Sequence, residues 1–266
     1  MKNIKIISIE KKQKSTKYKV ITDDLDYTVS EDMIIKHQLF KDKIFTEAEF
    51  KQVIEDILED KYFNKVLNLL SYSSKSEYEI ITYIHTNAFK NKEFLKENQI
   101  NNIINKLKQL GYINDETLCE SLIDYYIRCN KGPLFIKQKL KEKKIDDNII
   151  NEKIKCYDST LEEEIIIKLL LKESNKNYTL KKFKTILANK LIRNGFNNSL
   201  VFKLIDKQVY DDKSNQLIEK DFLKIYNKVI KKDNKTDSEK KQLIINSLLS
   251  KGYEYQLIKD IIKEKF

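Results

Sequence analysis

A mainly α protein, in which tandem three-helix repeats form an elongated curved array behind a small N-terminal β-hairpin or sheet, is the fold this sequence predicts. Three observations predict it. Only four glycines and one proline interrupt 266 residues, which excludes long glycine-rich loops and favours helix. Gly195, Phe196, Leu200, Val201, Leu204 and Ile205 return 57 positions later as Gly252, Tyr253, Leu257, Ile258, Ile261 and Ile262, the signature of a repeated unit. The first thirty residues read differently, with Ile4 to Ile9, Tyr18 to Ile21 and Tyr27 to Val29 alternating apolar and polar positions around a lysine-rich turn at residues 11–15 and the acidic link Asp23-Asp24. That is strand patterning, and a small sheet needs helices to pack on.

A short helix is expected near residues 32–37. Thr46-Glu47-Ala48-Glu49 then has the form of a capping box and starts a helix to about Glu59. From there the chain divides into an N-terminal segment, 1–61, and three-helix units at 62–115, 116–158, 159–212 and 213–266. The first unit is irregular, with helices over 62–70, 76–85 and 98–110, Ala88-Phe89 where later units have Gly-Phe, and an apparent insertion at 91–97. In the second, Lys144, Ile145, Ile149, Ile150, Lys153 and Ile154 reproduce the recurring pattern without its glycine. Helices over 161–171 and 180–193 precede the third copy of the pattern, and helices over 218–230 and 240–250 the fourth. Further capping boxes, Ser76-x-x-Glu79, Ser159-x-x-Glu162 and Thr236-x-x-Glu239, fall at expected helix starts.

Residues 110–140 carry the densest set of signals. Gly111 is suited to the left-handed end of a helix, with Tyr112 folding back on its last turn, and Asn114 and Asp115 are placed to cap the next helix. Leu118, Cys119, Leu122, Ile123, Tyr126 and Ile127 form one buried stripe. Gly132 breaks that helix and Pro133 is suited to the first position of another. Helix, Gly-Tyr-Ile-Asn-Asp, helix, Lys-Gly-Pro and a basic helix in this order resemble the RecX family, the regulators of the bacterial recombinase RecA. The resemblance continues through Lys144-Ile145-Asp146-Asp147 and Gly195-Phe196, and covers residues 62–266. It implies a protein that lies along the groove of the RecA–DNA filament and limits its extension or promotes its disassembly. Strand exchange, ATP hydrolysis and the co-protease role of RecA in recombination and the SOS response would be restrained as a result.

No residue pattern points to catalysis, so an enzyme is not expected. His37 and His85 have no metal-binding spacing, and Cys119, Cys129 and Cys156 have neither zinc nor disulfide spacing. No phosphate loop or nucleophile elbow occurs, and Glu162-Glu163-Glu164 suits the first turn of a helix. Metal, cofactor and catalytic residues are therefore all expected to be none. No apolar run approaches the ~20 residues of a membrane span and no signal-peptide core follows the start, so the chain is expected in the cytosol, as a monomer.

Binding is what the charge suggests. The net charge of +10 divides as −1 over residues 1–61, +3 over 62–158 and +8 over 159–266, and a basic surface attracts anionic partners. Lys131, Lys137, Lys139, Lys141 and Lys144 form one basic set, with Lys137, Lys141 and Lys144 expected on one helix face; Lys181, Lys182, Lys184, Lys190 and Arg193 form another. The only arginines are Arg128 and Arg193, which disfavours base-specific readout of DNA. Tyr125-Tyr126 and Tyr253 to Tyr255 have aromatic faces for bases but also the spacing of core residues. The expected partner is the RecA nucleoprotein filament, with direct contact to single- or double-stranded DNA open. A basic DNA- or RNA-binding helical-repeat protein acting without RecA, and an adaptor for an acidic protein, are the alternatives.

Overall fold

The computed structural model describes residues 3–13, 15–174, 179–207, 214–231 and 235–265; the expected boundary at 212/213 and residue 14 of the lysine-rich turn lie outside them. The chain forms two compact units, Met1–Glu120 with Lys141–Ile149, and Ser121–Leu140 with Ile150–Phe266. The fold is mainly helical, with one small sheet at the N-terminus.

That sheet is antiparallel, in the order β3-β2-β1-β4, from β1 (Asn3–Lys11), β2 (Lys17–Thr22), β3 (Asp26–Ser30) and β4 (Ile44–Thr46). The fourth strand is too short to show a two-residue period, which is why alternation did not reveal it; it pairs Phe45 with Ile4. Helix α1 (Glu31–Lys36) starts on the hydroxyl of Ser30, which accepts from Met33 N. Thr46 and Glu49 form the expected capping box at the start of α2 (Glu47–Leu70). This helix does not end near Glu59. Nothing between residues 47 and 70 removes a backbone donor or favours a left-handed turn, and α2 passes through position 61/62 uninterrupted. Phe50, Val53 and Ile57 pack in the core beneath the sheet, while Tyr62, Phe63 and Val66 join the core of the helices that follow. One helix thereby serves two cores.

Those helices are α3 (Glu77–Lys90) and α4 (Glu97–Gln109). Three triplets succeed them: α5 (Asp115–Arg128), α6 (Pro133–Glu142) and α7 (Asp147–Lys153); α8 (Ser159–Ser174), α9 (Leu180–Arg193) and α10 (Asn198–Lys207); and α11 (Ser214–Val229), α12 (Asp237–Ser250) and α13 (Tyr255–Lys265). Capping boxes form at Ser76–Glu79 and Thr236–Glu239 as expected. The one expected at Ser159–Glu162 does not. Asp158 caps α8 instead, its Oδ1 accepting from Leu161 N at 2.8 Å, and Glu162 is buried with Oε1 accepting from Asn197 N at 2.7 Å. The Ala88-Phe89 correspondence also fails: the left-handed residue after α3 is Lys92 (φ 56°), and the apolar residue that dips into the core is Leu95.

The second helix of a triplet begins against the turn that ends the second helix of the next, and this contact occurs three times. Ser76 Oγ at the start of α3 donates to Lys143 O after α6, at 2.7 Å. At the start of α6, Gly132 N donates to Asn194 O (2.8 Å) and Leu134 N to Gly195 O (3.0 Å), both after α9. Thr179 Oγ1 at the start of α9 donates to Lys251 O after α12, at 2.9 Å. Each receiving turn holds a left-handed residue, Lys144, Gly195 or Gly252, followed by a buried apolar one, Ile145, Phe196 or Tyr253.

The middle joint is the tightest, being backbone against backbone. A Cβ on Gly132 would lie 2.3 Å from Gly195 O, and one on Gly195 would lie 2.2 Å from Phe135 N, whereas one on Gly111 would have no atom within 4 Å. Gly195→Ala is expected to cost about 3 kcal/mol or more, strain and clash together. Gly111→Ala is expected to cost about 1 kcal/mol, from its positive φ alone. Urea denaturation of the two variants at equal protein concentration checks the difference.

Candidate interaction surface

The basic sets are carried by two helices, each the second of its triplet. Helix α9 holds five cations and no carboxylate, with Phe183, Leu187, Ala188 and Leu191 forming its buried stripe. Lys181 and Arg193 are exposed and make no ion pair among the described residues. Lys184 lies 2.8 Å from the Asp206 carboxylate, an exposed pair of small energetic weight. Lys190 is 2.6 Å from Glu173, and that carboxylate is buried, so this lysine compensates a charge inside the unit. Lys182 is half-buried, and its backbone N–H donates to the Thr179 cap.

Around α6 the lysines divide between structure and solvent. Lys131 donates to Asn194 Oδ1 at 2.9 Å, its ammonium lies 4.7 Å from the Phe135 ring centre, and its carbonyl accepts from Tyr157 Oη at 3.0 Å. Burial pushes the Tyr157 hydroxyl well above its usual pKa, so it acts here as a donor. Lys139 reaches over the same Phe135 ring at 5.7 Å. Lys137 is half-buried without an ion pair among the described residues, and Lys141 is exposed, 2.9 Å from Asp147. The face expected from Lys137, Lys141 and Lys144 is not formed on one helix, because α6 ends at Glu142 and Lys144 sits in the turn at φ 55°.

The signature residues occupy the joints and caps. Gly132, Gly195 and Phe196 are buried in the middle joint, Pro133 is the first residue of α6, and Gly252 and the buried Tyr253 form the turn after α12. Tyr253 Oη donates to Asp221 Oδ2 at 2.8 Å. Two readings need correction. Tyr112 is half-exposed and the residue that folds into the core after Gly111 is Ile113. Asn114 alone caps α5, accepting from Glu116 N and Thr117 N, while Asp115 Oδ1 accepts from Glu77 N at the start of α3, at 3.1 Å. Burial raises the pKa of Asp115. It lines an open cleft of about 620 Å³ with Glu77, Lys108, Lys144 and Asp146. Among the described residues no His, Cys, Asp and Glu group is arranged to hold a metal, and no helix is long and apolar enough to cross a membrane. Cys119 is buried, and Cys129 and Cys156 are exposed thiols.

A family model described as "RecX, second three-helix domain" matches residues 114–154, which contain the whole of α5, α6 and α7. "Regulatory protein RecX" of Streptococcus agalactiae is 32% identical over 98% of this chain and 99% of its own length. The protein of the same name from Listeria monocytogenes is 30% identical over 98% of this chain and 97% of its own. The chain belongs to the RecX family. Among solved structures, a "Crystal structure of regulatory protein RecX" superposes with a TM-score of 0.59 at 23% identity, covering 77% of this chain and all of the other. A second, "Crystal structure of RecX from Lactobacillus salivarius", gives a TM-score of 0.50 at 28% identity over 56% of this chain and 96% of the other. The RecX resemblance, expected over residues 62–266, therefore extends over almost the whole chain, the N-terminal sheet included.

Ion pairs tie the helices of this RecX-family chain together. For Glu79, Glu93 and Asp221, burial is the largest single influence and would raise the carboxyl pKa, but hydrogen bonds from Lys143, Lys61 and Lys251, a second hydrogen bond from Ser76 N, Tyr62 or Tyr253, and the attraction of the lysine charges together hold each below the usual range. The unfolded values are 4.5 for Glu and 3.8 for Asp, so this contribution is whole above them and is lost as pH falls through the lower folded values. The urea midpoint is therefore expected to fall as pH drops below 4.5, and to fall less steeply in a Glu93→Gln variant, as denaturation curves taken at a series of pH values would record.

Proposed function

We propose that this chain regulates RecA, binding in the groove of the RecA–DNA filament and restraining its extension, ATP hydrolysis, strand exchange and co-protease action in the bacterial cytosol. The observation that carries the reading is the near full-length similarity to proteins named "Regulatory protein RecX". The geometry supports it in kind: the cations of α6 and α9 stand on rigid helices, and the sites where chemistry would be sought hold caps, joints and ion pairs. The chain acts by binding rather than by catalysis. Its functional modules are the three-helix units 62–115, 116–158, 159–212 and 213–266, the first of them sharing α2 with the segment 1–61. Lys137, Lys139, Lys141, Lys144, Lys181, Lys182, Lys184 and Arg193 meet the partner's acidic side chains or phosphates, and Lys131 and Lys190 set the helices that carry them. A second reading, a general nucleic-acid-binding protein independent of RecA, draws on the five cations of α9, a helix with no carboxylate of its own.

The single-stranded-DNA-dependent ATPase of the matching RecA separates the two. Substoichiometric addition of this protein to preformed filaments produces a progressive fall under the first reading. Unchanged ATPase, with binding to bare DNA intact and steeply salt-dependent, selects the second. Linked weak contacts gain strength through effective concentration, so Lys137→Glu alone is expected to change the inhibitory concentration by less than about twofold. Lys137→Glu, Lys181→Glu and Arg193→Glu together are expected to raise it about tenfold or more, measured by the same ATPase titration.

A further inference from the structure

The last turn of α3 and the turn that follows it carry two phenylalanine rings that stand in solvent. Phe89 is 86% exposed and Phe94 is 82% exposed, far more than Phe40 or Phe202, the next most exposed of their kind. The backbone bond from Glu93 N to Ala88 O, 2.9 Å long, closes this turn, and each phenylalanine lies one residue beyond one end of that bond. Lys92 holds the reversal at φ 56°, and the buried Ala88 and Leu95 anchor it from below. Both rings thereby stand in water on one short stretch of chain.

The charge around them is mainly positive. Lys90 and Lys92 are exposed and make no ion pair among the described residues. Glu93, the only carboxylate in the turn itself, is engaged: one oxygen meets the Lys61 ammonium and the other accepts from Tyr62 Oη at 2.9 Å. Lys65, 4.7 Å from the Tyr62 ring centre, has its pKa lowered by burial and then by the neighbouring positive charge of Lys61. With Lys17, five lysines therefore stand against three carboxylates, Glu93 and, in the pocket that Phe94 lines, Asp60 and the Lys19-paired Asp26. An apolar protein pocket is a poor match for rings embedded among cations. Unpaired bases present flat π faces to aromatic rings while their phosphates take the lysines, and a duplex keeps those faces covered. Nothing at the turn is set to read a ribose hydroxyl, since Asn91 donates its side-chain amide to Tyr62 Oη and Glu93 is occupied.

We propose that the turn from Phe89 to Phe94 is a binding site for single-stranded DNA, with the two rings stacking on bases and Lys90 and Lys92 contacting the flanking phosphates. The site is built from residues other than the cations of α6 and α9, and does not depend on RecA being the regulated partner.

Fluorescence anisotropy of a labelled oligodeoxythymidine with the full chain, in a salt series and without recombinase, tests it. A Phe89→Ala, Phe94→Ala variant, which loses two stacking contacts, is expected to bind at least about thirtyfold more weakly with an unchanged salt slope. A Lys90→Ala, Lys92→Ala variant is expected to flatten the slope by about 1.4. A Phe89→Leu, Phe94→Leu variant keeps apolar volume, lacks π faces, and is expected to behave like the alanine variant; an abasic strand of the same length is expected to bind all phenylalanine variants alike. Failure of the unmodified chain to bind the oligomer, wild-type affinity in either phenylalanine variant, or an equal loss on the abasic strand would overturn the proposal. So would an oligouridine bound more than about tenfold tighter, or leucine side chains that restore binding, since a protein-type pocket tolerates leucine. Coincident thermal melts of all variants keep misfolding from being read as lost binding.

Discussion

The joint between successive second helices is the constraint on which the triplets depend. A helix start leaves backbone N–H groups without partners, and a helix end leaves carbonyls in the same state; here the start of one helix is set against the turn that ends another. Each bond contributes about 1 kcal/mol net, so its main effect is geometric. It fixes which residues of the turn face inward, and hence which side chain enters the core behind it: Ile145, Phe196 or Tyr253. The three joints use different chemistry for one purpose. Ser76 and Thr179 reach with a hydroxyl, while the Gly132 joint uses the main chain itself and so brings two backbones closer together.

The same constraint decides which charges are available for binding. Lysines near a joint or a buried carboxylate become parts of the fold, as Lys131 does against Asn194 and Phe135 and Lys190 does against Glu173. Those at the two ends of α9, Lys181 and Arg193, remain on the exterior. A basic surface built on such helices has fixed spacing, which suits a partner that is itself repetitive. The turn after α3 differs in kind, because there the exposed groups include aromatic rings.

Much of this was legible in the sequence, and the failures have physical reasons. The helix patterns at 180–193 and the boxes at Thr46, Ser76 and Thr236 were readable because a local rule, an apolar stripe or a cap with its reciprocal glutamate, decides them. Glu162 matched the same box motif but is drawn away by Asn197 N, 35 positions along the chain; a tertiary contact overrides a local one, and no sequence window contains both. Lys144 and Lys92 take left-handed conformations usually left to glycine, so the glycine-based register of the turns missed the one after α3. Among the binding candidates, residue type was visible and engagement was not. Nothing in a run of lysines distinguishes Lys190, committed to a buried carboxylate, from Lys181, and the exposed pair Phe89 and Phe94 follows no period that would set it apart from core aromatics.

The close approach of Gly132 to Gly195 also bears on how such a protein changes over generations. With Cβ positions on either side meeting main-chain atoms at 2.2–2.4 Å, neither glycine can be replaced while the other segment stays where it is. Two positions 63 residues apart thus form a single unit of inheritance, reachable only through intermediates in which the joint has already loosened. Serine and threonine joints, with a flexible hydroxyl between the two backbones, leave more single-step routes open, so drift in this chain should accumulate at its outer joints before it touches the middle one.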